Sequence, residues 1–148
     1  MFSFLSGPPL AIGTKAPDFT LPDQDGHSVA LAELRGTNVV LVFYPGDDTP
    51  VCRKQLCEFR DQAEFWKTKD VQVFGVNSWG AKSHASFRDR NHLPFPLLVD
   101  TGGRVAAAYR CKGLLMTIRT VYLIGREGII RYGKRGKPGP EEVLQAAG

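Results

Sequence analysis

Cys52 and Cys57 stand five residues apart in 44-YPGDDTPVCRKQLCEFRD-61, the stretch of this chain best suited to chemistry. The apolar run before it, 39-VVLVFY-44, reads as a buried strand. The chain then turns through Pro45-Gly46-Asp47-Asp48 and enters a helix. Thr49 stands at the N-cap and Pro50 at the first helical position, where a missing N–H costs nothing. Cys52 therefore falls in the first helical turn, facing unpaired backbone N–H groups and the positive end of the helix dipole. Both favour the thiolate, the nucleophilic form of sulfur. A strand, a tight polar loop, a helix-start cysteine and a second thiol nearby point to redox chemistry at sulfur.

A helix terminus contributes about 0.3 to 1 kcal/mol, up to about 2 when partly buried. That is too little by itself for fast chemistry at neutral pH, so a fixed cation is expected beside the sulfur. Arginine suits the role, because it stays charged and its planar fork holds two atoms at once. The candidate is Arg119, at the entry of the apolar run 120-TVYLIG-125. A plain surface charge at a strand start is the competing reading. The cysteine spacing is informative too. Five helical residues give about 7.5 Å of rise and about 140° of rotation, whereas a disulfide brings Cα atoms to about 4.4 to 6.8 Å. If the two sulfurs pair, the first turns of the helix must unwind. Otherwise Cys57 is a small buried hydrophobe. Cys111 has no partner at a recognisable spacing and reads as an incidental thiol. The three cysteines with a histidine make a weak zinc signal, and His27, His84 and His92, in separate segments, read as surface or capping residues.

The elements that must position these residues follow in order. Residues 17 to 31 form a hairpin around Asp25-Gly26, and a short helical turn over Leu31 to Leu34 ends at Gly36. A central strand spans residues 38 to 44. A helix runs from Pro50 to about Lys67, with Leu56, Phe59, Ala63 and Trp66 on one apolar stripe. A strand at 71 to 77, a helix at 81 to 90 and a short edge strand at Leu97 to Val99 come next. The chain closes with a short helix at 104 to 110, two hairpin strands around Arg126-Glu127-Gly128 and a terminal helix behind Pro140. Alternating βαβ units followed by a hairpin and a last helix predict an α/β, thioredoxin-like fold: a central mixed sheet with helices on both faces and an N-terminal β-hairpin.

The chain has 148 residues, 43% hydrophobic and 23% charged. This suits one globular domain over residues 1 to 148, with residues 1 to 12 as an N-terminal arm. No apolar run reaches the roughly 18 residues of a membrane span, and residues 1 to 13 lack the basic start of a signal peptide. Three cysteines, an odd number, argue for a reducing compartment, and a cytoplasmic location is expected. The net charge of +4 gathers near the C-terminus in Arg126, Arg131, Lys134, Arg135 and Lys137. With Tyr132 as its one interleaved aromatic, this run reads as a solvated edge rather than a nucleic-acid site.

Pro45-x-x-x-Thr49-x-x-Cys52, with Arg119 placed before a later strand, resembles the active-site signature of peroxiredoxins. Residues 13-GTKAPDFTLPDQDG-26, 57-CEFRD-61, 83-SHASFRDRNHLPFPLLVD-100 and 119-RTVYLIGREGIIR-131 resemble the Q-type subfamily, the bacterioferritin comigratory protein group. The similarity runs from about residue 12 to the end. It departs at Val51, where the subfamily commonly has glycine, at Gln55, where it often has glutamate and a carboxylate would position Arg119, and in the basic pair Arg53-Lys54 beside the cysteine. The resemblance implies a thioredoxin-dependent thiol peroxidase of the atypical two-cysteine kind, acting on hydrogen peroxide or organic hydroperoxides. Cys52 is implied as the peroxidatic cysteine that becomes a sulfenic acid. Pro45 is implied to shield it, Thr49 to hold the peroxide oxygen, and Arg119 to stabilise thiolate and transition state. Cys57 is implied as the resolving cysteine that closes an intrachain disulfide, which thioredoxin or a similar dithiol reduces. No cofactor or metal, no nucleic-acid or membrane partner, and a monomer or weak dimer are expected. A redox-sensing module on the same fold, with little turnover, is the alternative.

Overall fold

The computed structural model describes residues 7 to 147. Of the expected arm, residues 1 to 6 lie outside the described residues. The rest of it packs against the body: the Leu10 N–H donates to the Tyr122 hydroxyl at 2.9 Å.

The expected hairpin comprises β1 (Thr20–Pro22) and β2 (Ser28–Ala30), which pair antiparallel. A 3₁₀ turn over Leu31–Leu34 leads to β3 (Asn38–Phe43), buried throughout. Then come α1 (Pro50–Asp61), α2 (Ala63–Lys67), β4 (Val71–Asn77), α3 (Ala81–Asn91), β5 (Leu97–Val99), α4 (Arg104–Ala108), β6 (Thr120–Ile124), β7 (Ile130–Arg135) and α5 (Pro140–Leu144). The main sheet runs β5-β4-β3-β6-β7. β3, β4 and β5 are parallel, while β6 and β7 join antiparallel.

Side chains alternate across a strand, and the core divides accordingly. Val40, Val42 and Tyr44 pack with Leu56 and Phe59 of α1, Phe87 of α3 and Val143 of α5. Val39, Leu41 and Phe43 face the other way, toward Phe19, Ala106 and Tyr109. Full burial of a side chain such as Leu56 or Phe59 contributes roughly 1.5 to 3 kcal/mol, so α1 is welded to the sheet along its length.

One expected element is divided. The helix predicted from Pro50 to about Lys67 breaks at Gln62, whose φ is −100° and ψ 13°. Leu56, Phe59 and Trp66 still form one buried stripe, so the periodicity carried no sign of the break. A side chain bonds to the backbone at this break. The Trp66 indole N–H donates to the Phe59 carbonyl at 2.7 Å, the acceptor that an unbroken helix assigns to the N–H of Ala63.

Two strand registers position the site. Phe43 pairs with Thr120 across β3 and β6. Arg119, one residue before Thr120, therefore stands beside the point where the chain leaves β3 for the Pro45 loop. Phe43 also pairs with Val76 in β4, which brings Asn77 level with the same point.

Candidate active site

The loop between β3 and α1 holds Pro45, half-buried, and Thr49, exposed. Thr49 takes the N-cap position, and Pro50 opens the helix as expected. The Thr49 hydroxyl makes no capping bond; it donates weakly to the Gly46 carbonyl oxygen at 3.5 Å. A hydroxyl left out of the helix cap keeps its acceptor lone pairs for another partner.

Cys52 sits in the first turn of α1 and is fully buried. Arg119 reaches it: Nη2 donates to Sγ at 3.2 Å. The other arm of the fork, Nη1, donates to Oε1 of Gln55 at 2.8 Å. Gln55, one turn beyond Cys52 and buried, thus fixes the guanidinium from the same helix that carries the sulfur. Its Oε1 is neutral, so Arg119 keeps its charge for whatever forms at Cys52. The surface-charge reading of Arg119 does not hold.

Cys57 is half-buried on the same helix, with Sγ 3.8 Å from Oδ1 of Asn91 on α3. Both cysteines are free thiols, and α1 is unbroken across them. Cys111 packs on the opposite face of the sheet, so the three sulfurs do not gather. Burial pushes its thiol up to about 11 despite Thr120 and Arg135 beside it, and its S–H donates to the Tyr109 carbonyl at 3.2 Å. A thiol held protonated is a poor nucleophile. Native protein treated with iodoacetamide at about pH 8 is expected to leave Cys111 unlabelled, as peptide mass analysis will show, and to label it only after denaturation.

Sequence reasoning missed three residues. His84, read as a surface or capping residue, is fully buried, with Nδ1 2.6 Å from Oδ2 of Asp47 and Nε2 2.9 Å from the Leu98 carbonyl oxygen. Asp47, read as part of a turn, is buried. Burial works against its charge, but bonds from His84, Ser83 and Tyr44 hold its carboxyl below the usual range. Burial, with the Asp47 charge beside it, pushes the Tyr44 hydroxyl well above its usual range, and this hydroxyl donates to Oδ1 of Asp47 at 2.7 Å. The signal was thin: polar residues far apart in sequence met only through the fold. The basic pair after Cys52 is also partly accounted for, because Arg53 lies 3.8 Å from the Asp48 carboxylate.

An apolar groove of about 450 Å³ adjoins the sulfur site, lined by Pro45, Leu114, Leu115, Met116, Ile118 and Arg119. Leu114, Leu115 and Met116 are all exposed. Among the described residues no helix is long and apolar enough to cross a membrane.

Residues 12 to 133 match the AhpC/TSA family. A protein named as a peroxiredoxin bcp from Coxiella burnetii is 39% identical over 132 residues, covering 82% of this chain and 85% of its own length. The chain belongs to the AhpC/TSA family, in its peroxiredoxin Q/bcp group. A chloroplastic peroxiredoxin Q of Oryza sativa subsp. japonica is 39% identical over 135 residues, 89% of this chain. This peroxiredoxin spans 62% of the length of that rice relative. The crystal structure of peroxidoxin BcpB from Mycobacterium tuberculosis superposes with a TM-score of 0.87 at 28% identity, over 93% of this chain and 96% of its own. The expected thioredoxin-like fold is thereby shown.

Proposed function

We propose that this peroxiredoxin is a thiol peroxidase that reduces hydrogen peroxide and organic hydroperoxides at Cys52. The observation that carries the reading is the Arg119 guanidinium donating to the Cys52 sulfur at 3.2 Å at the start of a helix. A cation and a helix N-terminus on one sulfur stabilise negative charge there. The Cys52 thiolate attacks the terminal oxygen of the peroxide. The O–O bond breaks, its electron pair leaves with the departing oxygen, and that oxygen takes up a proton as water or an alcohol. Arg119 offsets the charge that spreads over sulfur and both oxygens. The Thr49 hydroxyl holds the incoming oxygen, and Pro45 shields the product. The groove along Leu114, Leu115 and Met116 offers room for an alkyl group beside the reacting atoms, which supports organic hydroperoxides as substrates.

Cys57 then attacks the Cys52 sulfenic acid. An S–S bond forms, the S–OH bond breaks and water leaves. The first turns of α1 must open for this, because five helical residues hold the sulfurs too far apart. Thioredoxin or a similar dithiol reduces the disulfide. Cys57→Ser is expected to reduce one equivalent of peroxide per chain and then stop, with thioredoxin unable to restart it. Stopped-flow oxidation and a coupled thioredoxin assay measure the two halves, and sustained thioredoxin-driven turnover in the variant would remove Cys57 from the mechanism.

A redox-sensing module is the second reading, favoured by the full burial of Cys52. Stopped-flow titration of the reduced protein with peroxide decides between them. A rate no faster than that of free cysteine supports the sensor, and a rate orders of magnitude above it supports the peroxidase.

A further inference from the structure

The loop from Pro45 to Thr49 carries the residue assigned to hold the peroxide oxygen and the one assigned to shield the product, and none of its residues belongs to a strand or helix. Its backbone is strained, since Asp48 adopts a left-handed φ of 58°, which is costly for a residue with a side chain. Gly46 presses against Trp79 so closely that a Cβ there would lie 2.8 Å from the indole Cζ2. Such a segment needs an anchor, and the anchor is Asp47. Oδ1 of Asp47 accepts from the Tyr44 hydroxyl at 2.7 Å and from the Asn77 amide at 3.1 Å. Oδ2 accepts from the Ser83 hydroxyl at 2.7 Å and lies 2.6 Å from Nδ1 of His84.

His84 completes the anchor from the far side. Its Nε2 faces the Leu98 carbonyl oxygen, which can only accept, so Nε2 carries a hydrogen. The imidazole therefore ties the loop to both α3 and β5. Cys52 and Arg119 are placed by other means: α1 is fixed by its buried stripe, and Arg119 by the register of β6 and by Gln55.

We propose that Asp47 and His84 form a positioning pair for the peroxide site: the bond between them holds Pro45 and Thr49 over Cys52, while the sulfur and its guanidinium stay in place without it. This rests on the peroxidase reading. It separates two reactivities of one thiol. Reaction with peroxide needs the loop; alkylation of Cys52 by iodoacetamide needs only the sulfur and Arg119.

Two substitutions at one position make the test. In His84→Gln the side-chain amide N–H takes the place of Nε2, keeping the Leu98 bond and losing Asp47. In His84→Asn it takes the place of Nδ1, keeping Asp47 and losing Leu98. Both remove one buried hydrogen bond and the ring, so a general structural role weakens both alike. The pair predicts otherwise. In His84→Gln the second-order rate of Cys52 oxidation is expected to fall roughly tenfold or more, the scale on which a misplacement of about 1 Å acts. Alkylation of Cys52, followed by peptide mass, is not expected to fall. His84→Asn is expected to recover most of the peroxide rate. Equal peroxide rates in the two variants, a wild-type rate in His84→Gln, or alkylation falling in step with peroxide oxidation would overturn the pair. Should neither histidine variant fold, Ser83→Ala trims one donor from the same carboxylate oxygen. It is expected to lower the peroxide rate about threefold, in keeping with the loss of one hydrogen bond, with alkylation unchanged. Parallel falls, or no fall, overturn the pair there too. A wild-type peroxide rate no faster than free cysteine would instead bring down the peroxidase reading itself.

Discussion

Cys52→Ser is expected to abolish peroxide turnover, with a fall of about 10⁴-fold or more, well inside the enhancement that enzymes supply over uncatalysed reactions. The substitution changes little but the reacting atom. A serine hydroxyl fits the buried position and accepts from Arg119 as sulfur does. It carries no ionised form near neutral pH, however, and attack on the O–O bond requires one. No other thiol is placed to stand in. Cys57 lies a turn and a half along α1 and makes no bond to Arg119 among those observed, and Cys111 is held protonated on the opposite face of the sheet. Peroxide consumption coupled to a thioredoxin system reads the loss directly, and circular dichroism guards against misfolding. Turnover retained in this variant would sink the assignment.

Arg119→Met is expected to slow Cys52 oxidation by about 10²- to 10³-fold, the usual cost of removing one donor aimed at developing charge. Methionine keeps much of the apolar stem and deletes both arms of the fork, so the sulfur loses its cation and Gln55 loses its partner at 2.8 Å. Arg119→Lys should recover only part of the rate. A single ammonium cannot hold Gln55 and Cys52 together in the fixed geometry of the guanidinium. Stopped-flow oxidation and iodoacetamide alkylation should both fall in these variants, because the sulfur itself is less activated. That parallel loss is the mirror image of the split expected for His84→Gln. Alkylation at the wild-type rate in Arg119→Met would show that Arg119 acts on the peroxide alone.

Much of this site was legible in sequence because its parts are local. An apolar strand, a Pro-Gly-Asp turn, a threonine cap and a proline at the first helical position put Cys52 at a helix start on sequence alone. Arg119 could be named as a cation at a strand start. Its arrival at the sulfur depends on Thr120 pairing with Phe43, a register that no single segment encodes. His84 and Asp47 were opaque for the same reason. A histidine in a polar helix and an aspartate in a turn are each unremarkable until the fold brings them to 2.6 Å across 37 positions of chain. The break at Gln62 hid behind an apolar spacing that continues past it, and the indole N–H that meets the Phe59 carbonyl there belongs to a residue seven positions on. Thr49 was placed correctly at the cap, but its hydroxyl does not bond into the helix.

The outermost strand of the main sheet bears on how open its edge is to a neighbour. Among the described residues β7 pairs with no strand but β6, and an unpaired strand edge is a template for stacking against a neighbouring molecule. Here its first residue is already occupied: the Ile130 carbonyl accepts from the Gly13 N–H at 2.8 Å, and the Ile130 N–H donates to the Thr14 carbonyl at 2.9 Å. Farther along, Arg131 pairs with Glu127 at 3.3 Å, Lys134 pairs with Glu142 at 3.1 Å, and Arg135 donates to the Gly7 carbonyl oxygen. Ion-paired side chains and the N-terminal segment thus occupy much of this margin, which leaves less of it open to recruiting a stranger.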